Sequence, residues 1–196
     1  LGFLLSLPLA VLSSRNLYGD RIAIPTRMLL AAIRTIPSLI WAILFVIMVG
    51  LGPVPGVLAM TFYTIGYIGK LQYEAIEGLS SSPLDAARAM GLGNIEIVER
   101  VVIPESANNL ISQCLFMFEY NVRQGSIVGI VGAGGLGTEL FFYYDAQMYQ
   151  RVMSLLIILF CVVVTIDLLS IKARSYFVED SNFKRPYIFG NIFKEK

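Results

Sequence analysis

Four ionisable residues stand within or beside long apolar stretches: Lys70, Glu74, Glu119 and Arg123. Lys70 and Glu74 are four positions apart, as are Glu119 and Arg123. On a helix each pair therefore shares one face, and one charge can neutralise the other. Arg123 admits a second chemistry: it stays protonated and offers several donors, so it can attract an anion that has to cross an apolar region. Structural pairing and a place along such a passage both stay open for the four. A lone charge at a bilayer centre costs at least ~2.5–3.5 kcal/mol on insertion scales, so paired, inward-facing positions are expected.

Residue types exclude other chemistries. The chain has no histidine, which removes Ser-His-Asp triads, Cys-His pairs and His-ligated metal sites. Cys114 and Cys161 lie in apolar stretches and read as buried thiols acting as small hydrophobes, not as a disulfide. The run V-G-A-G-G-L-G from Val131 contains G-x-G-x-x-G. A dinucleotide site would need a βαβ unit and an acidic residue about 20 positions on. Glu139 and Asp145 come too early, and Asp167 too late. Gly132, Gly134 and Gly135 read instead as a helix break, tolerable at membrane depth where backbone lines a cavity or is buried in protein. A gate and a tight helix crossing both fit. The chain has no G-x-x-x-x-G-K-[ST] loop, and no cofactor is expected on it.

The elements that must position these residues are membrane helices. Of 196 residues, 56% are hydrophobic and 15% charged, with net charge +1. A soluble domain carries roughly 25% charged residues, and the near-neutral balance gives no pull toward nucleic acid. Residues 35–69 contain no Asp, Glu, Lys or Arg. A pass needs about 20 residues, and G-L-G-P-V-P-G at 50–56 splits the stretch in two. Passes are expected at a run ending near Leu12, then at about 28–49, 57–77, 104–122 and 152–170. The expected fold is all-α and polytopic, with five transmembrane helices of which the first is truncated. Arg15, Arg21 and Arg27 in the first connection place it in the cytoplasm, as do Arg88 and Arg100 in the third and the Lys/Arg-rich tail. The N-terminus is then outside. Four or six passes would put one basic segment on the wrong side. The tail, 175–196, reads as a cytoplasmic extension, weakly ordered or docked on a partner or the membrane surface.

The third connection has its own local logic. Ser82 can cap a helix, Pro83 suits its first turn, and Asp85 completes a capping box. A short helix over 84–90 carries Ala86, Ala87 and Ala89 and is ended by Gly91 and Gly93. A second, about 94–102, presents Ile95, Val98 and Val102 before Pro104 starts the next pass. The pair forms either a low-profile docking knob or an ordinary helical loop.

These residues carry a resemblance. Asp85-Ala86-Ala87, Gly91 and Val101-Val102-Ile103-Pro104 resemble the E-A-A-x-x-x-G-x9-I-x-L-P signature of bacterial ABC-importer permeases, with Asp for Glu at 85, Val for Ile at 101 and Ile for Leu at 103. I-R-T-I-P-S-L-I-W-A from Ile33, F-E-Y-N-V-R from Phe118 and the glycine run look most like phosphonate-importer permeases. The resemblance spans residues 2 to about 174. It implies a permease domain at 1–174 with a coupling loop at 80–104, in which Asp85, Ala86, Ala87, Gly91, Val101, Ile103 and Pro104 engage a separate ATP-binding subunit. It further implies ATP and Mg on that partner, a substrate-binding protein, a homodimer of permeases in the bacterial inner membrane, and no enzymatic activity of the chain itself. The implied cargo is phosphonate or a related phosphorus oxyanion. The residues themselves leave open another small solute such as an amino acid, an ion-coupled secondary transporter, and a membrane enzyme.

Overall fold

Apolar runs punctuated by Gly and Pro fold as helices because, without water, each backbone polar group needs a partner within its own segment. A computed structural model describes residues 1–177 of the chain, and no strand occurs among them. The order is α1 (Gly2–Ser13), α2 (Arg15–Tyr18), α3 (Asp20–Thr35), α4 (Ser38–Val49), α5 (Pro53–Glu77), α6 (Ser81–Ala89) and α7 (Asn94–Ile97). A π turn, Val98–Val102, leads into α8 (Ile103–Val128), and a 3-10 turn, Gly129–Val131, precedes α9 (Leu136–Asp145) and α10 (Tyr149–Phe177).

The centre is α5, against which α1, α3, α4 and α8 all pack. Close packing, rather than exclusion of water, holds helices together in lipid, and small residues permit it. A Cβ on Gly66 would lie 2.9 Å from the Arg34 backbone nitrogen, and one on Gly69 2.8 Å from Leu30 Cδ2. Facing α5, α1 buries Gly2, Ser6, Ala10 and Ser13. Ser6 Oγ donates to Gln72 Oε1 at 2.7 Å, linking α1 to the fully buried Gln72 of α5.

One expectation needs correction. The pass at 28–49 is not one helix: α3 and α4 meet at 85°. Pro37 crowds the α conformation of the residue before it, and Ile36 is extended, with φ −86° and ψ 118°. Length and apolarity by themselves single out fewer spans than the five expected. Among the described residues only Tyr149–Ser175 qualifies alone, and counting two bent pairs, α3 with α4 and 94–131 with α9, raises the number to three. The central α5 is long enough, but it is rich in small and polar residues, of which Gly56, Thr64, Gly66, Gly69 and Gln72 are buried against neighbouring helices. Other boundaries shift outward, α8 running to Val128 and α10 to Phe177. The remainder of the expected tail lies outside the described residues.

Candidate functional site

The loop between α5 and α8 has a buried side and an exposed side. Leu84, Ala87, Ile97 and Val102 are buried in one cluster with Ala10, Leu17 and Ile76. Opposite them Ala86, Ala89 and Gly91 are exposed, as are Met90 at 73% and Ile95 at 69%. Of the residues expected to couple, Asp85, Ala86, Gly91, Ile103 and Pro104 are exposed and Val101 is half-buried, while Ala87 faces inward at 1% exposure. Gly91 ends α6 as anticipated. Its φ is +79°, its N–H donates to Arg88 O at 2.9 Å, and the Leu92 N–H donates to Ala87 O at 3.2 Å. That is a glycine-closed helix terminus. Another residue there strains by roughly 1–2 kcal/mol from backbone conformation alone. The expected cap differs. Ser80 occupies the capping position of α6 without a side-chain bond, and Asp85 pairs with Arg88 at 3.3 Å. The capping carboxylate appears instead on α7, where Glu96 Oε2 accepts the Gly93 N–H at 3.0 Å.

Beside this loop the ends of α1, α2 and α5 and the middle of α3 share a polar cluster that the sequence did not reveal. Glu77 accepts from Arg27 and, at 2.7 Å, from the Arg15 backbone N–H. Arg27 Nε also donates to Ser13 O at 2.8 Å, and its guanidinium lies 4.5 Å from the Tyr73 ring centre. Asn16 Nδ2 donates to Ile76 O at 2.9 Å, and Arg88 donates to the Asn16 carbonyl.

The charges in and beside the apolar stretches pair only partly as expected. Lys70 and Glu74 do meet, at 3.2 Å. Glu119 and Arg123 are 4.0 Å apart, but each has a better partner on α10. Arg123 donates to both Asp167 oxygens at 2.7 and 2.9 Å, and Arg174 donates to Glu119. The missed signal was Asp167, the sole charge between Val152 and Ser170. A charge alone in a span demands a partner.

The glycine segment meets the 50–56 turn backbone to backbone. Gly132, Gly134 and Gly135 have φ of +82°, +80° and +81°, a region that glycine enters without a Cβ clash. The Gly52 N–H donates to Gly132 O at 3.0 Å, and a Cβ on Gly134 would lie 2.8 Å from Pro53 Cα. Next to it opens a cavity of about 630 Å³ whose wall includes Gly134, Gly135, Thr61, Thr64, Asn121 and Ser126. Asn121 Nδ2 donates to Thr64 Oγ1 at 3.2 Å. Lys70, Glu74, Glu119, Arg123 and Gly132 do not line it. Both cysteines are exposed, which corrects the expectation of buried thiols, and Cys114 is in the cavity wall. An apolar helix in lipid exposes small hydrophobes as readily as it buries them.

Comparison with known proteins gives consistent likenesses. The chain matches the family described as binding-protein-dependent transport system inner membrane component over residues 2–174. It is 35% identical over 173 residues to the phosphite transport system permease protein PtxC of Stutzerimonas stutzeri, covering 88% of this chain and 63% of that protein. It is 35% identical over 121 residues to the putative cryptic phosphonate transport system permease protein PhnE2 of Escherichia coli K12, 62% of this chain and 99% of that one. This chain thus spans less than two thirds of PtxC. Among solved structures, an inward-facing MetNI methionine ABC transporter chain aligns with TM-score 0.74 and 25% identity, covering 90% of this chain and 87% of that one.

Proposed function

We propose that this chain, which belongs to the family of binding-protein-dependent transport system inner membrane components, carries a small phosphorus oxyanion across the bacterial inner membrane as the permease subunit of an ABC importer. ATP and Mg are held by a separate ATP-binding subunit, and a binding protein delivers the cargo. Two permease copies form the passage. The permease domain is 1–174, and it crosses five times with the N-terminus outside and the 80–104 loop in the cytoplasm. The central α5 crosses as a helix sheathed by its neighbours.

The observation that carries this reading is the exposed apolar tip of the 81–95 loop, Ala86, Ala89, Met90, Gly91 and Ile95, on a segment whose other face is already buried. An exposed apolar patch on a loop whose opposite face is already packed suits a groove on another protein. The relatives PtxC and PhnE2, named for phosphite and phosphonate transport, favour an oxyanion cargo. Neutral donors around the cavity, Thr61, Thr64, Asn121 and Ser126, suit an anion that must be released again. Arg123 is engaged by Asp167 and stands outside the cavity wall, so its contribution belongs to a different conformational state.

The test is uptake of phosphite or methylphosphonate into proteoliposomes holding this chain, its ATP-binding subunit and its binding protein. We expect uptake to require ATP and to survive collapse of ion gradients. Gradient-driven uptake without the ATP-binding subunit would overturn the reading in favour of a secondary transporter. ATP-driven uptake of an amino acid but no oxyanion would overturn the cargo alone.

A further inference from the structure

We infer that Arg88 is a positioning residue that fixes the direction in which the 81–97 loop can move relative to the helix ends beneath it. The inference rests on the coupling reading above and adds a transmission path to it. Apolar contacts between Leu84, Ala87, Ile97 and the Ala10–Leu17–Ile76 cluster resist separation, but they are non-directional and permit sliding. A hydrogen bond is directional. Among the described residues, the bond from Arg88 to the Asn16 carbonyl is the one side-chain hydrogen bond leaving α6 for another helix. The same guanidinium meets Asp85 on its own helix at 3.3 Å through its other terminal nitrogen, so its fork is set from both sides.

Asn16 is itself anchored. Its side chain donates to the Ile76 carbonyl in the last turn of α5 at 2.9 Å. One residue earlier, the Arg15 N–H donates to Glu77 at 2.7 Å, and Glu77 also takes Arg27 of α3. A push on the exposed tip is therefore carried through Arg88 to the junction of α1 and α2, and from there to α3 and the central α5. Without Arg88 the tip still presents its apolar surface, yet it can shift over the cluster without moving those helices.

The experiment compares the wild-type chain with Arg88→Ala and Arg88→Lys in nanodiscs, alone and with the ATP-binding subunit, and in proteoliposomes with phosphite as cargo. For Arg88→Ala we expect retained co-purification with the ATP-binding subunit and faster amide exchange over 81–90 and 14–17. Phosphite moved per ATP hydrolysed should fall about tenfold, within the usual range of coupling between two sites. Arg88→Lys should recover part of the yield, because one ammonium reaches either the carbonyl or the carboxylate but not both in a fixed fork. Unchanged exchange in Arg88→Ala, which needs neither cargo nor partner to measure, overturns the inference. Wild-type transport per ATP in that variant overturns it as well while leaving the coupling reading standing. Failure of the wild-type chain to bind the ATP-binding subunit overturns both.

Discussion

Around Ala87, the loop between α5 and α8 is held by side chains: Leu84, Ile97 and Val102 fill the space against Ala10, Leu17 and Ile76, and arginines bridge the gaps. Around Ala133, the glycine segment is held by backbone. A Cβ on Gly56 would lie 2.5 Å from the Ala133 carbonyl, and one on Gly129 2.7 Å from both the Gly134 carbonyl and Gly137 Cα. Side-chain packing adjusts when one partner changes, because rotamers and neighbours share the displacement. Backbone pressed on backbone has nothing to give. One end of the molecule can therefore tolerate small substitutions at its contacts while the other cannot.

The largest effect should come from the rigid end. Gly129→Val is expected to cost more than about 4 kcal/mol, the range reserved for clashes that cannot relax, and to abolish monodisperse protein in detergent. Gly125→Ala, one turn earlier with open space around it, should be near neutral in the same size-exclusion assay. Normal yield of Gly129→Val would erase the contrast. Next comes Ala87→Arg, which forces a charge into the apolar cluster and should cost about 3 kcal/mol. Protease cleavage within 81–93 should rise while the protein remains inserted. Ala86→Arg sharpens the point: on the exposed side it should leave the loop protease-resistant and block co-purification with the ATP-binding subunit.

Smaller again is the α8–α10 charge network. Asp167→Asn leaves Arg123 with only the Glu119 contact at 4.0 Å and should lower thermal stability by about 1–2 kcal/mol, with Arg123→Gln restoring part of it. A fully additive double variant would show that the two residues do not act as a pair. The restored double variant also isolates the anion question, since a stable protein without Arg123 that no longer transports assigns the residue to the passage. The smallest effect belongs to Asp20→Asn. Its bond to Arg15 is 2.9 Å long between two exposed side chains, and such pairs contribute at most about 1 kcal/mol.

What the sequence revealed follows the range of the interactions involved. Gly91 as a helix stop was legible because its cause is confined to Arg88 and Leu92 nearby. The all-helical membrane fold was legible from the uncharged stretch at 35–69. The partner of Arg123 was not, because an i,i+4 rule looks one turn away and Asp167 lies 44 positions on. The inward turn of Ala87 was hidden for a related reason: three alanines in one short helix look alike until α1 and α5 are placed beside them. Ser82 was a plausible cap, but the helix begins earlier, at Ser81. The bend at Pro37 was written in the Ile-Pro dipeptide, yet the apolar run on both sides suggested one continuous pass.

The crossed charges on α8 and α10 also set a schedule for biogenesis. The chain is made from its N-terminus, so Arg123 emerges 44 residues ahead of Asp167. At ~5–20 residues per second that is an interval of about 2–9 s, during which Arg123 has only Glu119 within reach. Over that interval α8 carries a half-satisfied cation that lipid rejects. If the proposed five-pass topology holds, α8 is expected to stay sheltered at the protein–lipid boundary until α10 arrives, so that the two helices enter lipid as a unit. Ribosome stalling sites placed before and after Asp167 would resolve that hand-over in time.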